Sequence, residues 1–339
     1  MAFSNATTTV GSSALPATFR AEVILVFRLF LGVCFLVGIP GNALVIWTIV
    51  AQLRQHSTTI RLLLHLAVAD LLALLTLPLW IFVFGGHWVL GSGLCRLVTY
   101  LVYLCMYASV FLITLISLHR CLALRCPLAW QQWQRPKVVS GVVGATWALA
   151  AGCAGPVLVF LVPVEPSGQG RCPRQVYDSG AQRLAVNVTE TLFGFIFPLS
   201  ILLVCSTCVA RGVRQVRSPR GGRAERLVAA VVVAFFVCWA PFHICNLTVI
   251  SSLLLEPSAA ALALSLQKAV EAHRPLATAL AFFSSSLNPV LYAFFACHFR
   301  KGLRATQLAK FFGQMNEPRE EEPLPKSPGD GRLGTATVM

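Results

Sequence analysis

Asp70 lies in Leu64-His65-Leu66-Ala67-Val68-Ala69-Asp70-Leu71-Leu72-Ala73-Leu74-Leu75, a stretch with no other acid. A carboxylate at the centre of a membrane helix costs ~2.5–3.5 kcal/mol even on lenient insertion scales. It therefore needs a partner: another side chain, water or an ion. Small polar groups at comparable depth in other apolar stretches are Asn42, Ser109, Ser284, Ser285 and Asn288. Two readings follow. The group forms a small polar cavity able to hold a sodium ion. Alternatively, it forms a hydrogen-bonded knot that only fixes helix register. A second constellation is set by spacing. Cys95 and Arg120 stand 25 residues apart in one apolar run, roughly 37 Å along a helix, against ~30 Å for a bilayer's hydrocarbon core. One spanning element thus carries a thiol at one rim and a guanidinium at the other. Spacing alone leaves open that Arg120 merely snorkels to the interface.

These groups need long apolar elements to position them, and the composition supplies such elements. Of 339 residues, 56% are hydrophobic and 12% charged, where a soluble domain carries about 25% charged residues. Seven apolar segments, at about 22–50, 59–85, 94–124, 138–162, 184–210, 227–255 and 267–296, are each long enough to cross as a helix. The fold predicted is an all-α membrane protein, a seven-helix transmembrane bundle over 21–297. A tail over 1–20 precedes it. A short amphipathic helix follows over 298–312, on the membrane surface, and then a disordered tail rich in Pro, Gly and Glu over 313–339. No cleavable signal peptide is expected ahead of the first span.

The net charge of +14 is topological. Arg211, Arg214, Arg217, Arg220, Arg223 and Arg226 fall between spans five and six; Arg125, Arg135 and Lys137 follow span three; Arg300, Lys301, Arg304 and Lys310 follow span seven. The positive-inside rule places these segments in the cytoplasm beside anionic membrane lipid, and the N-terminus outside. No basic soluble face remains for nucleic acid. Asn5-Ala6-Thr7 is then a glycosylation sequon on the outer tail, whereas those at Asn187 and Asn246 fall at span ends. Cys95 and Cys172 are the cysteines placed near the outer rim or in an outer loop, an oxidising setting, and are expected to pair. Pro40, Pro78, Pro198, Pro241 and Pro289 interrupt five spans and permit kinks. A transporter would show several charged groups along a path, and an enzyme a His/Glu or Ser/His pair at one depth; neither pattern stands out.

In combination, the motifs resemble those of the rhodopsin-like (class A) G-protein-coupled receptors over about 20–312. They are Gly41-Asn42, Leu66-Ala67-Val68-Ala69-Asp70, Cys95 with Cys172, Arg120, Trp147, Phe197-Pro198, Cys238-Trp239-Ala240-Pro241 and Asn288-Pro289-Val290-Leu291-Tyr292. The resemblance implies that Trp239 is a toggle beneath the ligand with Phe235 as its partner. It implies that Asp70 and Ser109 form a sodium site, and that Arg120 and Tyr292 rearrange to admit a heterotrimeric G protein; arrestin is a further partner it brings to mind. Met106-Tyr107-Ala108-Ser109-Val110, Pro241-Phe242-His243, Asn246-Leu247 and Ala279 to Pro289 look most like the leukotriene B4 receptors of the chemoattractant group. That likeness implies a plasma-membrane receptor, coupled to an inhibitory G protein, for an anionic lipid mediator; a peptide chemoattractant is the alternative.

The residues themselves suggest a pocket with apolar, aromatic walls from Tyr103, Tyr107, Phe193, Trp239 and Phe242. Its lip would hold Arg96, Lys268 and Arg274, and Glu190, His243 and Asn246 would supply hydrogen bonds. A greasy tube with a cationic lip suits a hydroxylated fatty-acid carboxylate, although Arg274 could equally face headgroups. A basic contact that the resemblance leads one to expect at the top of span four is missing from Pro156-Val157-Leu158-Val159-Phe160-Leu161. The family's usual acid before the span-three arginine is His119 here, which predicts a weaker restraint on Arg120 and raised basal signalling. The usual span-five tyrosine is Ser206.

Overall fold

The computed structural model describes residues 17–52, 57–83, 91–162, 174–216 and 221–297. Span one is α1 (Ala17–Gln52), longer at its N-terminus than the hydropathy predicts. Span two is α2 (Thr58–Leu75) continued by α3 (Leu77–Val83), and span three is α4 (Gly91–Arg125). The short α5 (Pro127–Trp133) follows, then span four as α6 (Pro136–Phe160). Span five combines α7 (Gly180–Thr191), a π-helical turn (Leu192–Ile196) and α8 (Phe197–Val216). Spans six and seven are α9 (Gly221–Leu255) and α10 (Ala260–Cys297). Among the described residues, six of these spans are long and apolar enough to cross a membrane. The seventh, α10, is 38 residues long and packs along α9 and α1. The predicted amphipathic helix at 298–312, the tails, Asn5 and Cys172 lie outside the described residues.

One element departs from the all-α expectation. Leu161–Val162 (β1) pairs antiparallel with Arg174–Gln175 (β2), so the chain after span four turns back across the outer face. Polar backbone there meets water and headgroups rather than hydrocarbon, and a strand pair is tolerated. The Arg96 Nε donates to the Leu161 carbonyl at 3.0 Å. Arg96 therefore ties this hairpin to α4 instead of standing on the pocket lip as the sequence suggested.

The break between α2 and α3 has a local cause. Pro78 has no N–H and its ring conflicts with the carbonyl one turn earlier. Thr76 stands at the break and its hydroxyl donates to the Ala73 carbonyl at 2.6 Å. The bundle is apolar on both its inner and outer surfaces, because lipid, unlike water, gives no reason to hide side chains. Leu25, Leu29 and Leu36 recur at helical spacing on the outer face of α1 and are exposed, while Leu31, Val45 and Ile49 face inward and are buried. Association in lipid depends on close packing rather than on the hydrophobic effect. Two glycines of α1 make that packing possible. A Cβ on Gly38 would lie 2.5 Å from Leu74 Cδ1 and 2.9 Å from Ser286 Cβ, and one on Gly41 would lie 2.8 Å from Pro289 Cβ. α4 is the axis, touching α2, α6 and α8, and the main core gathers around it from Ile60, Leu66, Leu112, Leu202, Phe235 and Trp239.

Candidate functional site

The outer half of the bundle holds a buried polar relay across spans five, six and seven. Glu190 Oε2 accepts from Asn246 Nδ2 at 2.9 Å, and Asn246 Oδ1 accepts from Arg274 Nη2 at 3.1 Å. Asn246 is fully buried and Glu190 nearly so, while Arg274 is half-buried. The amide presents each end to the charge it suits, so an acid and a base are joined without touching. The Arg274 guanidinium also lies 5.5 Å from the centroid of the Phe242 ring, a cation–π arrangement. Asn187 is buried and donates to the Arg183 carbonyl at 2.8 Å, so the asparagines of both span-end sequons, Asn187 and Asn246, are enclosed in the folded bundle.

Below the relay, His243 stacks on Phe195 with centroids 4.9 Å apart, and Trp239 lies 6.2 Å away. His243 is 2% exposed, and among the described residues neither ring nitrogen has a hydrogen-bond partner. The π turn decides what faces it. A π turn holds more residues than an α turn, so the inward face after Glu190 falls at Gly194 and Phe195 rather than one position earlier. Phe195 is 8% exposed and Phe193 38%. Phe193, read from the sequence as a pocket wall, points outward against Phe197, and Phe195 takes its inward place. Gly194 accommodates the imidazole, since a Cβ there would lie 3.1 Å from His243 Cε1. A period-3.6 count forward from Glu190 misses Phe195, although a count back from the buried Leu202 and Val209 reaches it. Tyr107, one turn below Tyr103 on α4, also approaches Gly194 and stacks on Phe111 at 5.9 Å. Lys268 is exposed and takes no part in the relay. In the outer loop, burial first and the negative charge of Glu190 second push the Tyr177 phenol up to about 12, so it remains a donor, bonded to Gln175 Oε1 at 3.0 Å.

Trp239 and Phe235 stack with centroids 6.1 Å apart, and the Trp239 indole donates to Ser284 Oγ at 3.3 Å. Deeper still, Asp70 Oδ1 accepts from Ser109 Oγ at 2.8 Å and Oδ2 from Asn288 Nδ2 at 2.7 Å. The Ser285 hydroxyl also faces the carboxylate. Asn42 stands beside this group without joining the carboxylate: its amide donates to the Gly38 and Ser285 carbonyls at 3.0 and 3.1 Å. Asp70 is fully buried and, among the described residues, meets no cation.

At the cytoplasmic end, His119 is buried beside Arg120 and faces Thr59, Trp130 and Trp133. Tyr292 lies on α10, with its side chain outside the described residues. Cys95 is disulfide-bonded; its expected partner Cys172 is not among the described residues. Cys205 and Cys208 have C-x-x-C spacing on α8, yet among the described residues no three His, Cys, Asp or Glu side chains could hold a metal ion together.

Residues 41–292 match the family model described as 7 transmembrane receptor (rhodopsin family). The chain is 36% identical to leukotriene B4 receptor 1 of Homo sapiens, covering 83% of this chain and 80% of that protein. It is 38% identical to leukotriene B4 receptor 2 of Homo sapiens over 79% of this chain and 75% of the other. It is 33% identical to C5a anaphylatoxin chemotactic receptor 1 of Oncorhynchus mykiss over 81% and 78% respectively. These relatives make the chain a multi-pass plasma-membrane receptor of the chemoattractant type, not an enzyme, with a ligand and a heterotrimeric G protein as its partners. The chain belongs to the rhodopsin family of seven-transmembrane receptors.

Proposed function

We propose that this receptor recognises an extracellular anionic lipid mediator, a leukotriene B4-like hydroxy fatty acid, and activates an inhibitory-class G protein in chemotactic signalling. The observation that carries this reading is the Arg274–Asn246–Glu190 relay. One guanidinium nitrogen is committed to Asn246, and the fork has further N–H groups to offer a carboxylate. Tyr103, Tyr107 and Phe242 give the surrounding wall an aromatic face for a hydrocarbon chain, and Asn246, Glu190 and His243 carry hydrogen-bonding capacity for hydroxyls. The printed names of two relatives, both leukotriene B4 receptors, point the same way. Trp239 and Phe235 lie below as the toggle, and Arg120 with Tyr292 would receive the G protein.

The second reading is a peptide chemoattractant, and the similarity to a C5a anaphylatoxin receptor favours it. A panel of lipid and peptide chemoattractants on cells expressing the chain separates the two. Inhibition of cAMP formation, abolished by pertussis toxin, is the readout. Leukotriene B4 or a related hydroxy acid should elicit it; a response to peptides alone would overturn the lipid reading.

Asp70, Ser109 and Ser285 also fit a sodium ion. Hard cations take oxygen ligands, and a carboxylate with two hydroxyls supplies them, with Asn288 and Asn42 around them. Such an ion would supply the positive charge that no described side chain gives Asp70. The protein's own contribution is to bring oxygens from α2, α4 and α10 to one depth and so link three helices.

A further inference from the structure

The segment after span three raises a question that ligand recognition leaves untouched: why α5 is a helix at all. It has seven residues, whereas isolated helices shorter than ~12–15 residues are marginal in water. Pro127 at its first position fixes a helical φ, and the Trp130 N–H returns to the Cys126 carbonyl at 3.0 Å. Those local terms start a turn but do not hold it against the bundle. The remaining stabilisation has to come from docking.

The docking point is His119. Trp130 and Trp133 stand three residues apart on α5 and so share one face. Their rings lie 6.2 and 6.3 Å from the His119 imidazole, the second nearly parallel at 29°. His119 Nδ1 lies 3.2 Å from Thr59 Oγ1 at the start of α2, and the neighbouring Thr58 hydroxyl donates to the Trp133 carbonyl at 3.4 Å. A single imidazole on α4 thus joins the beginning of span two to the end of span three and to α5. Among the described residues its Nε2 and the Trp130 indole N–H are both buried without partners, so within that set the ring is held by one hydrogen bond and two aromatic contacts. The opposite face of α5 is open, with Leu128 78% exposed. The tilt of this seat therefore fixes which surface the loop offers on the cytoplasmic side.

We propose that His119 is a positioning residue for G-protein coupling, which sets the pose of α5 by clamping Trp130 and Trp133 against Thr59. The role concerns the transducer side of the receptor, whichever ligand binds outside. It also gives the residue before Arg120 a task other than restraining that arginine. An aspartate at position 119 could accept from Thr59 but could not stack on either indole, so His119→Asp would loosen α5 as well as add a charge next to Arg120.

Hydrogen–deuterium exchange on the purified receptor in lipid nanodiscs, with no ligand, reads the clamp directly. Losing one hydrogen bond and two aromatic contacts in His119→Ala should accelerate exchange of the amides at 130–134 by ~10-fold or more, with spans two and three unchanged. His119→Phe keeps the stack and should recover most of the protection. Trp133→Ala should behave like His119→Ala, and the double variant should be no worse than either, because the two belong to one contact. Titrating the same proteins with a nucleotide-free heterotrimeric G protein reads coupling: His119→Ala should associate ~10-fold more weakly and His119→Phe close to wild type. Unchanged exchange at 130–134 in His119→Ala would overturn the proposal. So would acceleration spread evenly through α2 and α4, or a loosened α5 with undiminished G-protein association.

Discussion

The two buried polar clusters of this receptor solve the problem of charge in an apolar medium differently. In the outer cluster, Glu190 and Arg274 balance each other through the Asn246 amide, and Arg274 remains half-buried. In the inner cluster, Asp70 receives Ser109 and Asn288, and among the described residues no base answers it. Removing a charge from water costs several kcal/mol unless a partner offsets it. The outer cluster has its counter-charge built in. The inner cluster has no counter-charge among the described residues, and a sodium ion would supply one. On the function proposed above, the outer site would keep a resident base for an anionic ligand, and the inner site would leave that place for a cation.

Removing the resident base tests the first half of this contrast. Arg274→Ala should weaken binding of an anionic lipid agonist by about 3 kcal/mol, roughly 100-fold, in a radioligand competition assay, while a carboxyl-methylated agonist should bind both proteins alike. Equal losses for acid and ester would remove Arg274 from carboxylate recognition. The inner cluster depends on tight packing of α1, whose Gly38 carbonyl accepts from Asn42. Gly38→Ala would press a methyl group against Leu74 and Ser286 and should lower stability by about 1–3 kcal/mol, visible as a reduced melting temperature. Asn246→Ala should cut agonist affinity by about 1–1.5 kcal/mol, close to tenfold, because Arg274 loses its orienting acceptor; Asn246→Gln, with the same amide, should recover part of it. The smallest change concerns the ion. Exchanging sodium for choline should raise wild-type agonist affinity a few-fold, on the order of 1 kcal/mol, and Asp70→Asn should abolish the difference. A sodium effect that survives Asp70→Asn would mean the inner cluster is a hydrogen-bonded knot and nothing more.

Much of this was legible in the chain because a bilayer reduces the choices. Long apolar runs must become helices that satisfy their own backbone, so the seven spans follow from hydropathy, with ends off by a few residues. An isolated Asp70 demanded partners, and Ser109 and Asn288 proved to be two of them. The misplacements share one cause: they concern direction rather than depth. Phe193 and Phe195 differ by two positions in an aromatic stretch, and the π turn at 192–196 turns the second, not the first, towards Phe235 and His243 in the bundle interior. Arg96 is at the outer rim as its position implies, yet it points to the Leu161 carbonyl. His119 read as the loss of an ion pair, since its chemistry suggests what it cannot do; that Trp130 and Trp133 return to it across a loop is a matter of distance in space.

The sequence by itself determined that this chain spans a membrane, how many times it does so, which family it joins and which residues lie at which depth. Those properties depend on residue type and order along one axis, which a one-dimensional string records. The tertiary structure alone decided which groups at a common depth meet: Glu190 with Asn246 and Arg274, Asp70 with Ser109 and Asn288, and His119 with Thr59 and two tryptophans. Rotation of each helix about its own axis sets those meetings. The extra residue of a π turn shifts that rotation by about 100° while leaving hydropathy the same.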